Sequence, residues 1–378
     1  MTVTNVTAAQ RIGAPIVDIS YDLLNPSGGV HTVLLFVSTN SGATYLVGST
    51  NFTGAVGAGV TTGAYKQIVW FAAGDFPFTI TSLAHVRVTA TETPDMVLIP
   101  AGAFIMGDTF SEENASERPA HSVFIGGFYI DKTEVTKVKW DEVYTWGASH
   151  GYLFDHAGLG KAPTHPVQTV SWYDCVKWCN ARSEMEGLTP CYYLDAAQTV
   201  LYKTGQSNVW SDAVNWTTNG YRLPTEAEWE KAARGGTAGH RFPWSDVEWI
   251  DFTRANYYSR WEGGVPYYSY DHAAQEGNNP TFAALYPYTS PVGYFAPNGY
   301  GLYDMAGNVW EWCWDWRDDT YYASSPGSDP RGGSSSTYRV LRGGFWSYLV
   351  SACRVASRGG AAPGLSSANA GFRCVRGL

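Results

Sequence analysis

Apolar and polar residues alternate with period two in four short stretches near the start of the chain: Ile16–Tyr21, His31–Val37, Gln67–Phe71 and His85–Thr89. They are rich in β-branched residues and separated by Gly, Asn, Pro and Ser clusters such as Asn25–Gly29. Side chains that alternate in this way present one face to a core and the other to water, so the pattern predicts a small antiparallel sandwich over residues 1–92. Its expected form is an immunoglobulin- or fibronectin-like module. No catalytic constellation lies in it, and its expected role is a spacer.

The pattern changes after Thr91–Asp95, where Pro94 cannot donate to a ladder and suits a linker. Beyond it, helical signals appear. Ser171 is an N-cap candidate for a helix over Trp172–Met185, closed by Gly187 and Pro190. Thr225, with Glu228 three residues on, is a capping box that opens a helix over Glu226–Arg234, ended by Gly235 and Gly236. Two helices among many short strands and loops, without β–α–β alternation, predict an α+β domain over residues 93–378.

Composition sharpens this picture at three points. With 378 residues, two domains are the natural expectation. The 16 Trp, 25 Tyr and 41 Gly against 16% charged residues suit an irregular backbone pinned by large rings. A net charge of −9 with no basic cluster disfavours nucleic acid, whose binding requires displacement of counterions by protein cations. No apolar run is long enough to span a bilayer, and the first residues have neither the basic nor the apolar region of a signal peptide. The chain is thus expected to be cytosolic, or exported on a signal absent from this sequence.

Several strings in the second domain recur in a fixed order: Met96–Gly107, Pro166–Trp172, Tyr221–Glu230, Asn298–Trp312, Arg342–Gly344 and Gly371–Arg373. Together they resemble the formylglycine-generating-enzyme, or sulfatase-modifying-factor, family. The resemblance implies a C-type-lectin-like fold whose first and last strands pair, with calcium-stabilised insertions. It also implies oxidation of a substrate cysteine by two cysteines four residues apart, shortly after Arg-Gly-Gly. Here Phe345–Arg354 contains only Cys353. A thiol pair is needed both to hold a soft metal and to exchange with a substrate thiol, so the expectation is a protein without that activity.

The resemblance implies further sites. A structural calcium would be held by Glu311 and the carbonyls of Ala306, Gly307 and Val309, as suits a hard cation; the alternative is that Glu311 only accepts hydrogen bonds in the core. A second calcium maps, with a spacing one residue too long, to Asn256 and Asp271. A disulfide is implied between Cys179 and Cys374. Cys175, Cys191, Cys313 and Cys353 are left as buried thiols; zinc at Cys175 and Cys179 is the sharper but weaker alternative, with no second pair to complete it.

Residues 345–370 keep a frame of Trp346, Cys353, Arg354, Arg358 and Pro363, continued by Gly371, Phe372 and Arg373. The positions between them resemble the variable region of a diversity-generating retroelement variable protein, in which randomised Asn codons never yield Lys, Glu, Gln, Met or Trp. None of those five types occupies a free position here. The expected binding surface is Phe345, Ser347, Tyr348, Leu349, Ser351, Ser357, Gly359, Gly360, Ala361, Ala362, Leu365, Ser366, Ser367, Ala368 and Asn369. Small residues with a few aromatics on a rigid frame suit recognition. The leading expectation is therefore a non-enzymatic protein, extracellular or surface-displayed, that binds a protein or cell-surface ligand. The alternative is an oxidase or related enzyme of the formylglycine-generating class.

Overall fold

The computed structural model describes residues 2–11, 14–24, 30–38, 52–54, 56–61, 63–72, 85–92, 96–334 and 336–378. The turn at Asn25–Gly29 and the linker proline Pro94 lie outside the described residues. The chain divides into two compact units, Met1–Asp95 and Met96–Leu378.

Each of the four alternating stretches lies in a strand of the first unit. Strands β1 (Thr2–Gln10), β2 (Ile16–Leu24), β3 (Val30–Ser38), β4 (Phe52–Gly54), β5 (Gly57–Thr61), β6 (Gly63–Phe71) and β7 (His85–Glu92) build two sheets, ordered β1-β2-β6-β4 and β5-β3-β7. Alternation puts Val17, Ile19, Tyr21 and Leu23 of β2 in one core with Val33, Leu35 and Val37 of β3 and Ile68 and Trp70 of β6.

The second unit opens with β8 (Met96–Ile99), β9 (Gly102–Met106), β10 (His121–Ile125) and β11 (Phe128–Asp131). Helix α1 (Lys137–Ser149) follows, then α2 (Trp172–Met185), β12 (Tyr221–Arg222) and α3 (Glu226–Ala233). Short pairs β13 (Tyr258–Ser259), β14 (Trp261–Glu262), β15 (Val265–Pro266) and β16 (Gly277–Asn278) lead to β17 (Trp310–Trp316) and β18 (Arg339–Arg342). The chain ends in β19 (Gly359–Ala361), β20 (Ala370–Gly371) and β21 (Val375–Arg376).

Two sheets organise this unit. One has the order β12-β21-β11-β8, so the last strand lies beside the first ones; the other has the order β19-β18-β17-β20. Helix α2 touches both, Trp172 donating to the Cys313 carbonyl of β17 and Ser183 accepting from the Tyr221 amide of β12, and it is buried almost all round, with Trp172 and Trp178 fully enclosed. Its start is doubly capped: Ser171 Oγ accepts from the Asp174 amide, and Asp174 accepts from the Ser171 amide. Such a cap contributes about 1 kcal/mol. Thr225 and Glu228 cap α3 in the same way.

Helix α1 was not among the predicted elements. Only Trp140, Val143 and Gly147 of it are buried, a stripe too narrow to signal a helix through β-branched and aromatic neighbours. Thr136 accepts from the Lys139 amide at its start, and Gly147 lets it pack against Phe154 and Ala181.

Candidate functional site

The terminal segment is held by arginines, each ion-paired to a glutamate from an earlier part of the chain. Arg342 pairs with Glu230 and donates to the carbonyls of Ser357 and Val355. Arg354 reaches Glu117 at 2.8 Å, Arg358 reaches Glu226 at 2.7 Å and Arg373 reaches Glu311 at 2.6 Å. All eight side chains are buried. Burial alone lowers a guanidinium's pKa, and Glu226 more than restores that of Arg358. The frame is thus a set of desolvated pairs, bidentate at Arg354, Arg358 and Arg373, which fix geometry as well as contribute energy.

Aromatic rings meet between these anchors, tilted at Tyr348 and Trp310 and edge to face at Trp346. Phe345 lies 5.4 Å from Tyr348, 5.9 Å from Trp346 and 6.3 Å from Trp310. Trp346 carries the contact onward to Tyr286 at 5.5 Å and Tyr288 at 5.1 Å. Tyr286 is 62% exposed and Tyr348 48%, so the network ends in rings offered to solvent. Tyr286 and Tyr288 were not predicted as site residues, because they come from a loop remote in sequence.

Most of the predicted surface positions are partly or fully exposed. Tyr348, Ala362 and Leu365 are exposed, while Phe345, Ser347, Leu349, Ser351, Gly359, Gly360, Ser366, Ser367, Ala368 and Asn369 are half-buried. Two expectations are corrected: Ser357 and Ala361 are buried. Ser357 gives its carbonyl to Arg342, and Ala361 pairs with Arg339 in the ladder. Much of the remaining backbone also serves the fold. The carbonyls of Pro363, Ser367 and Asn369 accept from the amides of Trp172, Thr169 and Trp310.

Beneath β17 lies an acidic cluster that the predicted calcium ligands enter only in part. Glu311 gives its oxygens to Arg373 and to Trp229 Nε1, the latter at 2.7 Å. Glu134 is buried with no N–H or O–H donor on either carboxylate oxygen, and Asp304 Oδ1 likewise has none, the two carboxyl groups lying against each other. Burial, with Asp304 and Glu311 nearby, pushes the Glu134 carboxyl well up. Burial also pushes Asp304 up to about 6, against a bond from the Gly293 amide. Three carboxylates facing one guanidinium would leave two negative charges in a dry interior, which no protein tolerates uncompensated. A divalent cation or proton uptake would each resolve this. Among the described residues no three Asp, Glu, His or Cys side chains form a ready ligand set, so a cation here would also need backbone carbonyls such as those predicted at Ala306, Gly307 and Val309.

The second predicted pair looks different. Asp271 accepts from Tyr257 Oη at 2.6 Å, Ser259 Oγ at 2.7 Å and the Ala273 amide at 3.1 Å. Asn256 donates to the Tyr288 carbonyl at 2.7 Å and keeps Oδ1 without a partner. Its own carbonyl passes so close to Gly307 that a Cβ there would meet it at 2.2 Å, so only glycine fits.

All six cysteines are buried thiols. Cys179 and Cys374 face each other with sulfurs 3.6 Å apart, in contact but not bonded. Cys353 is fully enclosed near Asp271, and burial drives its thiol far above the usual range. It is not an accessible nucleophile. No described helix is long and apolar enough to cross a membrane.

Comparison with known proteins adds what geometry alone lacks. The sulfatase-modifying factor enzyme 1-like domain matches residues 83–378. The formylglycine-generating enzyme of Streptomyces coelicolor is 36% identical over 308 residues, covering 75% of this chain and 89% of that protein. The Mus musculus formylglycine-generating enzyme is 34% identical, covering 74% of each. Among solved structures, Treponema denticola variable protein 1 superposes with a TM-score of 0.55 at 28% identity, covering 79% of this chain and 97% of that one. These likenesses bear out the recognised fold, mixed in helix and sheet. They overturn the leading functional expectation: relatives named as enzymes, in bacteria and mammals, match most of the chain at 33–36% identity. That favours an enzyme over a non-enzymatic ligand-binding protein.

Proposed function

The chain belongs to the sulfatase-modifying factor family, and on that premise we propose that it is a formylglycine-generating-type oxidase or a related sulfatase-modifying enzyme. The observation that carries this reading is breadth: the family match spans residues 83–378, the whole second unit, and enzymes of that name match about three quarters of the chain. Its substrate is a peptide cysteine. The face formed by Phe345, Tyr348 and Tyr286 supports it, because aromatic rings bury large areas of peptide at little conformational cost. Cys353 takes no part, being sealed in the core. What these residues supply is binding and orientation of the substrate thiol.

The acidic cluster supports a structural calcium as part of the same reading. The backbone carbonyls of Ala306, Gly307 and Val309 would complete a ligand set that the carboxylates of Glu134, Asp304 and Glu311 do not form by themselves, and the ion's double charge would balance the two uncompensated carboxylates. The contact of Cys179 with Cys374 supports a bridge that would form in an oxidising compartment.

The test is direct. A cysteine peptide carrying a sulfatase motif is incubated with the protein, with and without copper, and an aldehyde-reactive probe reports the product by mass spectrometry. Aldehyde at the cysteine is the expected result. A peptide returned unchanged, where a formylglycine-generating enzyme converts it in parallel, would overturn the reading.

A further inference from the structure

An open groove of about 840 Å³ lies across the face of the β17-β18-β19 sheet. That volume is within the roughly 300–1,000 Å³ of small-molecule sites. Arg317, Asp318 and Asp319 enter it from the chain after β17, Tyr338 from the residue before β18, and Gly360 from β19 itself. The Arg317 amide donates to the Tyr338 carbonyl at 2.8 Å, which ties two of these strand ends together. None of Phe345, Tyr348 and Tyr286 lines the groove, so it is separate from the aromatic face.

Gly360 makes room for the central cation. A Cβ there would meet Arg317 Cδ at 2.6 Å and Nη1 at 3.5 Å, so the arginine lies directly over this glycine. Its Nε donates to Asp319 Oδ1 at 2.8 Å. Nη1 and Nη2 have no hydrogen-bond partner among the described residues, and neither has Asp319 Oδ2; the two side chains are 24% and 64% exposed. Asp318 Oδ1 accepts from the amide and the hydroxyl of Thr320, each at 2.8 Å, and these bonds hold its carboxyl below the usual range, so it stays ionised. Tyr338 adds a half-exposed ring.

This lining selects against charge of either sign. An anion drawn to Arg317 would face Asp318 and Asp319, and a cation drawn to the carboxylates would face Arg317. An apolar ligand would strip water from all three without replacing its hydrogen bonds. A neutral polyol meets neither obstacle, because a hydroxyl both donates and accepts. One hydroxyl accepts from Arg317 while its neighbour donates to Asp319. In a pyranose such a pair sits on the rim of a ring whose C–H groups form an apolar face, and a tyrosine ring offers that face an apolar surface with a polar tip. We propose that this groove binds a neutral saccharide, with a vicinal diol between Arg317 and Asp319 and a pyranose C–H face on Tyr338. The site is independent of the peptide-directed reading above and shares no residue with it.

The test is a titration of the ¹⁵N-labelled full chain with cellotriose, maltotriose and mannotriose, followed by amide shifts. Each sugar hydroxyl exchanges one set of hydrogen bonds for another, so a Kd on the order of 1 mM is expected. At least one of the three should shift the amides of Arg317–Asp319, Tyr338 and Gly360–Ala362. Its affinity should hardly change with salt, since the ligand carries no charge. The same trisaccharide with every hydroxyl methylated keeps its rings and loses its donors, and it should not bind. Tyr338→Ala should weaken binding at least about fivefold. The double variant Arg317→Ala/Asp319→Ala, which removes both partners of one exposed pair and orphans neither, should abolish it. A melting curve on each variant checks that it folds. No shift with any of the three sugars well above millimolar concentration would overturn the proposal. So would binding of the methylated sugar, or an affinity that both variants leave unchanged. Shifts of the same amides by free lysine or inorganic phosphate, with the sugars inert, would reassign the groove to a charged ligand.

Discussion

The arginines of the terminal segment and the loop positions between them share one stretch of chain but opposite surroundings. Arg342, Arg354, Arg358 and Arg373 are buried, each locked to a glutamate from another part of the fold. Tyr348, Ala362 and Leu365 lie exposed a few residues away. The contrast teaches that one segment can carry both the scaffold and the working surface, because each arginine fixes the backbone on either side of it. Side chains in between are then released from structural duty. Where a predicted surface residue lies against an anchor, as Ser357 does against Arg342, it is drawn inside.

The sharpest way to break this contrast is Arg358→Ala. It would leave Glu226 buried without its bidentate partner, at an expected loss of about 3–5 kcal/mol in a denaturant titration. A loss below about 1 kcal/mol would show that the anchor is dispensable.

Next in size is the calcium dependence of the acidic cluster. Chelation should lower the melting temperature, and an ion at a hundred times its Kd would account for about 2.7 kcal/mol. Glu134→Gln should remove that dependence. It is a cleaner probe than Glu311, whose loss would also orphan Arg373. An unchanged melting curve in chelator would assign the cluster to proton uptake.

A smaller effect concerns Asp315, which accepts from the Glu226 amide. Burial first, then Glu226 beside it, pushes its carboxyl up to about 8. An acid with a raised folded-state pKa holds its proton more tightly when folded. Its contribution is therefore full below the unfolded value near 4 and is lost as pH rises toward 8. Asp315→Asn should flatten the decline of stability between those limits by roughly 1–3 kcal/mol. A decline as steep as in the parent would remove Asp315 as its source.

The smallest expected effect lies on the exposed face. Changing Ser347, Tyr348, Ala362 and Leu365 together to other small or aromatic residues should cost within about 0.5 kcal/mol each. Cooperative unfolding of that variant would mean the surface is structural after all.

Legibility in the sequence followed the range of the interactions. Helices α2 and α3 were readable because the Ser171 cap and the Thr225–Glu228 box are local signals, made within four residues. Helix α1 was not, since its buried stripe of Trp140, Val143 and Gly147 depends on what packs against it. Arg354 and Arg358 could be recognised as a frame, but not Glu117 and Glu226, which come from distant parts of the chain. Glu134 gave no signal at all, because an isolated glutamate ahead of a helix reads as an ordinary polar residue.

What the sequence determined by itself was the period-two strands of the first unit, the capped helices of the second and, through motif order, the family. Those depend on residues within a few positions of each other, or on strings that recur intact. Only the tertiary structure decided which carboxylate pairs with which arginine, that Glu311 serves Arg373, that Cys353 is sealed away and that Ser357 and Ala361 turn inward. Each of those depends on burial, and burial is a property of the neighbours that folding brings together.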